Sequence, residues 1–347
     1  MNKHLQPEAQ STVLVSNALG QIPDEGIRRV ALEIADCLTD FDIPSVEISP
    51  RDSFLSRKLL LKQTIRKSVQ GKPHPTLLYI PSQSMTLGTF LRALTLKTFT
   101  RAKVIAIPCQ VGSPFVGQRF LAALSPVDLV LSPSPSLIRR AESLAITARF
   151  IPLAVDTDRF HTPSEEQRRS FRIDLGIKEA DKLILHVGHL RTARNLGWIK
   201  DLTSLGEVVV IAGTSRGYDP AVLRELQAGG VRTITRFIPN IQDAYAAADC
   251  YVFSVLDEKG SVAVPLSVLE AMATNCPVVT TPFGGLPQMF REEGGFFFAA
   301  DQEDLTQKVS IALAMPSSEV RTRAIVEPYT WRSLAHKVID EAASLWN

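Results

Sequence analysis

The sequence has few cysteines and no long apolar run. Its four cysteines lie far apart, and none of their spacings is that of a metal site. We therefore interpret them as buried apolar residues of a protein in a reducing compartment. No apolar run approaches the ~20 residues of a membrane span, and the first residues lack the apolar core of a secretion signal. These absences predict a soluble, cytoplasmic protein.

Acidic residues are nearly missing from residues 51–103. This window holds eleven Lys or Arg and a single acid, Asp52, so its net charge is +10, which leaves −8 for the rest of a chain whose total is +2. Apolar residues are interleaved in its first half, which suits an amphipathic helix whose leucines at 59–61 would insert shallowly into a membrane surface. Two interpretations remain open: a solvated basic face, or a peripheral contact with the inner face of an anionic membrane. No nucleic-acid-binding motif accompanies the charge, so we expect no nucleic acid partner.

Short β-branched strands alternate with helical stretches along the 347 residues, a length typical of two domains. Nine strands are predicted, at 12–16, 76–80, 103–107, 128–132, 182–187, 207–212, 231–237, 250–254 and 276–281. Their near-continuous apolar character indicates parallel sheets covered on both faces. We predict two doubly wound, Rossmann-like α/β domains facing a cleft. The polar stretch 163–167 suggests the boundary, and a last helix begins near Tyr329.

The most informative stretch is 264–288, which reads VPLSVLEAMATNCPVVTTPFGGLPQ. A helical run carries a lone carboxylate, Glu270, and is followed by a strand and a glycine pair, Gly284 and Gly285. Burying an unpaired carboxylate costs several kcal/mol or forces its neutralisation. We therefore predict that Glu270 lies at a helix edge, where it accepts hydrogen bonds from hydroxyl groups.

This stretch resembles the C-terminal domain of retaining nucleotide-sugar glycosyltransferases of the GT-B fold, glycosyltransferase family 4. Four further segments resemble the family in the same order: 150–160, 183–196, 241–254 and 329–346. The resemblance implies retaining transfer of a sugar from a nucleotide-diphosphate sugar to an acceptor. It implies an acceptor-binding domain at 1–165, a donor-binding domain at 166–327, and a helix at 328–347 that crosses back to the first domain.

The resemblance also implies a phosphate site after the strand that ends at Val187. Gly188 permits a tight turn, and the family's Arg and Lys positions hold His189 and Arg194, with Arg191 between them. Arg194 is expected to open the next helix, whose N-terminus favours anions. Arg194 and His189 would stabilise the leaving diphosphate. By the same resemblance Glu270 would bind the ribose.

The chain departs from the family at several donor positions. Val262 stands where the family has a first Glu, and the hexose contacts come either from an acid such as Glu258 or from the backbone around Ser261 and Val262; we leave both open. Gln288 replaces a Glu after the glycine pair. Phe237 and Ile238 either flank the nucleobase or pack in the core.

On the acceptor side, the resemblance points to a first loop with Gly20 and Gly26 and to the turn at 80–84. That turn contains Ser82 but lacks the family's His, so the departing phosphate itself would remove the acceptor proton. We identify no Asp-x-Asp metal motif in the sequence, and we expect neither a metal nor another cofactor. The acceptor would be a glycan or glycolipid, lipid-linked or from an envelope polysaccharide.

Two rival interpretations stay open. One is a catalytically impaired family member that binds a nucleotide sugar or a partner protein, favoured by Val262, His189 and the missing N-terminal His. The other is an epimerase of the same fold, which would need several acid and base side chains in the cleft.

Overall fold

The computed structural model describes residues 11–19, 26–48, 56–213 and 217–347, and only the backbone of 56–62. The chain divides into two compact units. The first comprises Met1–Leu153 together with Trp331–Asn347, and the second comprises Ala154–Thr330. Each unit is built around a parallel six-stranded sheet with flanking helices.

The first unit contains six parallel strands in the order β2-β1-β3-β4-β5-β6. The strands are β1 Thr12–Ser16, β2 Ser45–Glu47, β3 Thr76–Ile80, β4 Lys103–Ala106, β5 Leu129–Ser132 and β6 Ala148–Phe150. The helices between them are α1 Gly26–Thr39, α2 Ser56–Val69, α3 Leu87–Thr100, α4 Gln118–Ala123 and α5 Pro135–Glu142. The central strands β1 and β3 are buried along their whole length, as near-continuous apolar runs predict.

The second unit contains six parallel strands in the order β12-β11-β10-β7-β8-β9. The strands are β7 Leu183–Val187, β8 Glu207–Ile211, β9 Arg232–Ile234, β10 Cys250–Phe253, β11 Val278–Thr280 and β12 Phe296–Phe298. The helices are α6 Glu165–Asp174, α7 Gly197–Lys200, α8 Pro220–Ala228, α9 Ile241–Ala247, α10 Leu266–Ala273, α11 Leu286–Met289, α12 Gln302–Ala314 and α13 Thr322–Val326. This strand order is that of dinucleotide-binding folds and reverses between β7 and β10.

The last helix, α14 (Trp331–Ser344), belongs to the first unit, where it contacts α1. The ring of Trp346 stacks on His74 with centroids 5.0 Å apart, and its Nε1–H donates to Thr76 Oγ1 at 3.1 Å. Arg149 and Glu341 form an ion pair. The predicted fold class is therefore confirmed: two doubly wound α/β units and a C-terminal helix that returns to the first.

The polar stretch at 163–167 lies inside the second unit, and the division falls earlier, after Leu153. Ser164 and Gln167 form a capping box at the start of α6, which explains the polarity of this stretch. The residues before it are held within the second unit. The Phe160 ring packs edge-on to Tyr245 with centroids 5.8 Å apart, and the Arg323 guanidinium donates to the carbonyl of Phe160 at 2.9 Å.

Across the described part of the chain, no helix combines the length and apolar character needed to cross a bilayer.

Candidate functional site

The candidate site of the second unit lies at the reversal of strand order between β7 and β10. In open parallel sheets, the connections leave in opposite directions at such a point and open a crevice beyond the carboxyl ends of the strands. The segment after β7 leads into a 3₁₀ turn at Thr192–Arg194, and the segment after β10 leads into another at Glu258–Gly260. These two turns contact each other. The fold therefore brings together two segments that the sequence resemblance assigned to the donor.

Gly188 is required by the close approach of two nitrogen atoms. Its N–H donates to the carbonyl of Ile211 at 2.9 Å, which continues the pairing of β7 with β8. A Cβ at this position would lie 2.9 Å from His186 Nε2 and 3.1 Å from Arg194 Nη1. Only glycine leaves room for both side chains, so these three residues converge at the end of β7.

Arg194 is a buried cation. It is 8% exposed, its Nε has no hydrogen-bond partner, and no carboxylate among the described residues lies within ion-pair distance of it. Burial, opposed by Tyr251 and reinforced by the charge of Arg191, lowers the pKa of Arg194 to about 10. The side chain therefore stays charged at neutral pH. Because an unpaired buried charge is unfavourable, the site is electrostatically suited to an anion.

The prediction that Arg194 opens a helix is wrong. Arg194 ends the short 3₁₀ turn, because Asn195 adopts a left-handed conformation with φ of 53°. The next helix, α7, has only four residues and begins at Gly197. Any anion at this site would be held by the guanidinium itself.

His186 lies on β7 and is fully buried. Its Nδ1 is 2.8 Å from the carbonyl oxygen of Val252, which can only accept, so Nδ1 carries the proton and Nε2 keeps a lone pair. Nε2 has no partner. Burial, reinforced by the charge of Arg194 and opposed by the hydrogen bond to Val252, lowers the pKa of His186 to about 4, so the imidazole is neutral near pH 7. The sequence interpretation treated His186 as a strand residue and missed its proximity to Arg194; the one signal was a polar side chain inside the run LILHV.

Glu270 lies on the half-buried edge of α10, as predicted. Most of this helix is buried, while Ser267 and Glu270 share a half-buried face one turn apart. The hydroxyl of Tyr245 donates to Glu270 Oε2 at 2.8 Å, and the hydroxyl of Tyr251 donates to Ser267 Oγ at 2.7 Å. Burial raises the pKa of Tyr245, and the neighbouring carboxylate raises it further. The sequence interpretation missed both tyrosines, because their place beside α10 is set only by the tertiary packing of α9 and β10.

The glycine pair contains one position at which glycine is required. Gly284 has φ of +55°, and a Cβ there would lie 2.0 Å from the carbonyl oxygen of Ala263. Gly285 has φ of −88°, so it does not use the positive φ that glycine permits. Its N–H donates to the same carbonyl at 2.9 Å. The turn therefore holds the backbone at Ala263 in place.

The residues around Ala263 differ in burial. Ser261 and Val262 are buried, whereas Glu258 is half-buried. Gln288 is exposed on α11. Because the Val262 side chain belongs to the core, its position offers only backbone groups to a ligand.

Phe237 is exposed beyond strand β9. Its side chain is 57% exposed, which excludes core packing for this residue, and Ile238 is half-buried. A Cβ on Gly213 would lie 2.7 Å from the Cα of Phe237. Glycine at this position thus lets the Phe237 backbone approach the end of β8, at the edge of the sheet where ligands bind.

In the first unit, the predicted Ser82 lies at the corresponding reversal of strand order, between β1 and β3. The Asn17 amide donates to Ser82 Oγ at 2.6 Å, and the Ser82 N–H donates to Asn17 Oδ1 at 2.9 Å. Gly26 is the first residue of α1, and Gly20 lies outside the described residues. The acceptor-side roles of these residues stay predictions.

The chain contains two Asp-x-Asp sequences, Asp40 to Asp42 in the turn after α1 and Asp156 to Asp158. Asp156 Oδ1 accepts the backbone N–H groups of Asp158 and Arg159, at 3.1 and 2.9 Å, so it shapes a turn. Elsewhere in the described residues, no three His, Cys, Asp or Glu side chains are grouped as metal ligands would be.

Comparison with known proteins gives a family match over part of the chain. A family model described as Glycosyl transferases group 1 matches residues 181–315, which span β7 to α12. The sulfoquinovosyl transferase SQD2 of Arabidopsis thaliana is 28% identical over 240 residues, covering 63% of this chain and 45% of that protein. The chain spans less than half the length of the curated relatives it matches.

Solved structures match nearly the whole chain. A glycosyltransferase from Rickettsia africae ESF-5 aligns with a TM-score of 0.76 at 13% identity, covering 97% of this chain and 99% of that one. Anabaena Alr3699/HepE in complex with UDP and glucose aligns with a TM-score of 0.71 at 14% identity, covering 96% and 100%. At these identities the likeness shows the fold, which is that of GT-B glycosyltransferases. With the family match, it supports a glycosyltransferase of this class.

Proposed function

We propose that the chain is a retaining glycosyltransferase that takes its sugar from a nucleotide-diphosphate sugar. The second unit would bind the donor and the first unit the acceptor. The observation that carries the proposal is Arg194, a buried guanidinium at the reversal of strand order that has no carboxylate partner in the part of the chain the structure describes. A diphosphate supplies the missing negative charge, and a planar guanidinium can bind two of its oxygens at once.

The rest of the donor would extend from this diphosphate site in two directions. Glu270, already an acceptor for the Tyr245 hydroxyl, has further lone pairs for ribose hydroxyl groups. The exposed ring of Phe237 suits stacking on a nucleobase. The hexose would meet the backbone around Ala263, because the Gly284 turn holds this segment and the Val262 side chain is buried. The UDP and glucose bound by Alr3699/HepE support a donor of this kind.

We propose that the transfer follows the internal-return route. The bond between the anomeric carbon and the phosphate oxygen breaks, and the acceptor oxygen bonds to the anomeric carbon on the same face. The acceptor proton passes to the departing phosphate, which leaves as part of the nucleoside diphosphate. The Arg194 cation would stabilise the charge that develops on this phosphate, the main catalytic contribution expected from the protein. His186, neutral and buried, would not supply a proton.

On the acceptor side, we propose a glycan or glycolipid, lipid-linked or from an envelope polysaccharide, that reaches Ser82 at the edge of the first sheet. The basic window at 51–103 would bring the protein to an anionic membrane surface.

The test uses the whole chain with a panel of nucleotide sugars. Nucleotide release should require both a matching donor and an acceptor, and the anomeric configuration of the product, read by NMR, should be that of the donor. An inverted product would refute the retaining mechanism. Absence of binding to any nucleoside diphosphate in calorimetry would refute the donor site.

A nucleotide-sugar-binding protein without transferase activity is the second candidate. It is favoured by Val262, which is 5% exposed and places no carboxylate where the family has its first Glu. This candidate predicts tight donor binding and no acceptor-dependent nucleotide release.

A further inference from the structure

One surface of the first unit is apolar on its outer side. We call it the α3–α4 face and define it by five exposed residues: Leu87, Leu91, Val116, Phe120 and Leu124. Helix α3 packs into the core through the opposite side, where Phe90 and Ala93 are buried. A helix that is apolar on both sides is typical of a helix covered on both sides. We therefore expect the outer side of α3 to be covered by a binding partner.

The two helices of this face are held together by hydrogen bonds from one half-buried arginine. Leu87 and Leu91 lie one turn apart on α3, which contacts α4, and Phe120, 70% exposed, projects from α4. From α5, the Arg140 guanidinium donates to the carbonyls of Met85 at 3.1 Å and Gly112 at 2.7 Å, and to Gln118 Oε1 at 2.9 Å. These bonds tie the start of α3 to the start of α4. The face is thus formed before any partner arrives.

Basic residues predominate around the α3–α4 face. No Asp or Glu occurs between residues 53 and 127, whereas eleven Lys or Arg do, and two of these, Lys97 and Lys103, pair with Asp128. Arg119 is exposed on α4, and Arg66 and Lys67 are exposed on α2, which also contacts α3. An apolar centre with a mainly basic surround matches a bilayer of anionic lipid, whose headgroups attract the cations while the apolar side chains enter the interface. A second copy of the same face would bring like charges together.

The location of the face relates it to the predicted acceptor residue. Helix α3 begins at Leu87, directly after the loop that follows β3 and carries Ser82, and Thr86 caps it by accepting the N–H of Thr89. The exposed leucines therefore lie next to the ligand-binding edge of the first sheet. We propose that the α3–α4 face docks on an anionic bilayer and presents a membrane-embedded acceptor to that edge. The docking stands by itself, while the presentation of an acceptor rests on the proposed function.

The leucines that would enter the membrane are those of α3, and not those of α2 that the sequence predicted. The sequence pointed to 59–61 on α2, whose side chains lie outside the described residues. In the described half of α2, Ile65 and Val69 are buried in the unit's own core. We therefore assign the apolar contact to α3 and α4 and a purely electrostatic contribution to α2.

The test is co-sedimentation of the full chain with vesicles of phosphatidylglycerol and phosphatidylcholine, compared with phosphatidylcholine alone, without any nucleotide sugar. We expect recovery in the pellet only with the anionic vesicles and less recovery as salt rises. Leu91→Ser with Phe120→Ser should weaken partitioning at least tenfold. The matched control is Ile173→Ser with Ile311→Ser, which removes two exposed apolar side chains from the second unit and should bind as wild type.

Because all four residues are exposed, the variants should keep the wild-type thermal midpoint, which is measured alongside. Three results would overturn the proposal. The first is equal recovery of the wild-type protein in the supernatant with both kinds of vesicle. The second is partitioning of the Leu91→Ser, Phe120→Ser variant that equals that of the wild type. The third is a dimer that forms without lipid and that this variant abolishes. Nucleoside-diphosphate affinity is measured separately by calorimetry. Its loss would refute the donor site and leave vesicle binding intact, so the two proposals fail independently.

Discussion

Arg194 offers a test in which stability and ligand binding should change in opposite directions. In the free protein its guanidinium is buried with no carboxylate of the described residues beside it, and burial lowers its pKa from the ordinary value to about 10. That lowering corresponds to about 3 kcal/mol by which the surroundings disfavour the charged form. The cost to folding applies below about pH 10, where the side chain is charged in both the folded and unfolded chain, and disappears as the pH rises toward 12.5. Arg194→Met removes the charge and keeps an apolar stem, so the free energy of unfolding without ligand should rise by about 1–3 kcal/mol.

Binding should move the other way. A nucleoside diphosphate at one hundred times its dissociation constant should stabilise the wild-type protein by about 2.7 kcal/mol. The Arg194→Met variant should show little of this stabilisation, because the charged hydrogen bond that is worth about 1.5–3 kcal/mol is gone. Urea denaturation with and without the nucleotide measures both quantities in one experiment.

Arg172 provides the matched control. It is also a buried arginine, but its guanidinium is 3.1 Å from Asp249 and donates to the carbonyl of Ala247 at 2.8 Å. Arg172→Met should therefore destabilise the protein, by about 3–5 kcal/mol, because it leaves the Asp249 carboxylate short of a partner. If Arg194→Met lost as much stability as this control, or bound the nucleotide as wild type, Arg194 would be a structural residue and the reasoning would fail.

Three further predictions concern neighbouring residues. His186 has a pKa of about 4, against an ordinary value of 6.5. The stability contributed by its neutral form is complete above pH 6.5 and is lost as the pH falls toward 4, and this contribution amounts to about 3 kcal/mol. His186→Phe should remove this pH dependence, as measured by acid titration followed by circular dichroism. Gly284→Ala should cost about 3 kcal/mol, because it combines a positive φ with a backbone clash, whereas Gly285→Ala should cost much less; equal thermal midpoints for the two would contradict this. Glu270→Gln should weaken nucleoside-diphosphate binding about tenfold or more, while Tyr245→Phe should mainly lower stability, by about 1–2 kcal/mol; calorimetry and denaturation separate the two effects.

The sequence predicted nine of the strands and missed three short ones at the sheet edges. All nine predicted strands are present, and the three that were missed are β2, β6 and β12, each at the edge of its sheet and three residues long. Edge strands are covered on fewer sides, so they need no continuous apolar run, and β2 and β6 are indeed half-buried to exposed. A strand such as FFF at 296–298 is too short for its periodicity to be read.

The candidate site shows the same limit. Gly188, Arg194, Glu270 and Gly284 could be identified because each is a residue type that its local surroundings make unusual. His186, Tyr245 and Tyr251 could not, because an apolar strand or helix accommodates such residues for many reasons, and only the packing of α9, α10 and β10 sets their contacts. The helix expected at Arg194 failed for a local reason, the left-handed Asn195.

The return of α14 to the first unit affects the order in which the chain can fold. The second unit is one continuous segment, Ala154–Thr330, whereas the first is interrupted by it and includes Trp331–Asn347. During synthesis, the second unit can be complete while the first still lacks the helix that buries Trp331, Leu334 and Val338. The apolar side of α1 that contacts α14 therefore stays uncovered until residues 331–347 have left the ribosome. The first unit would then be completed only after the whole of the second unit has been synthesised.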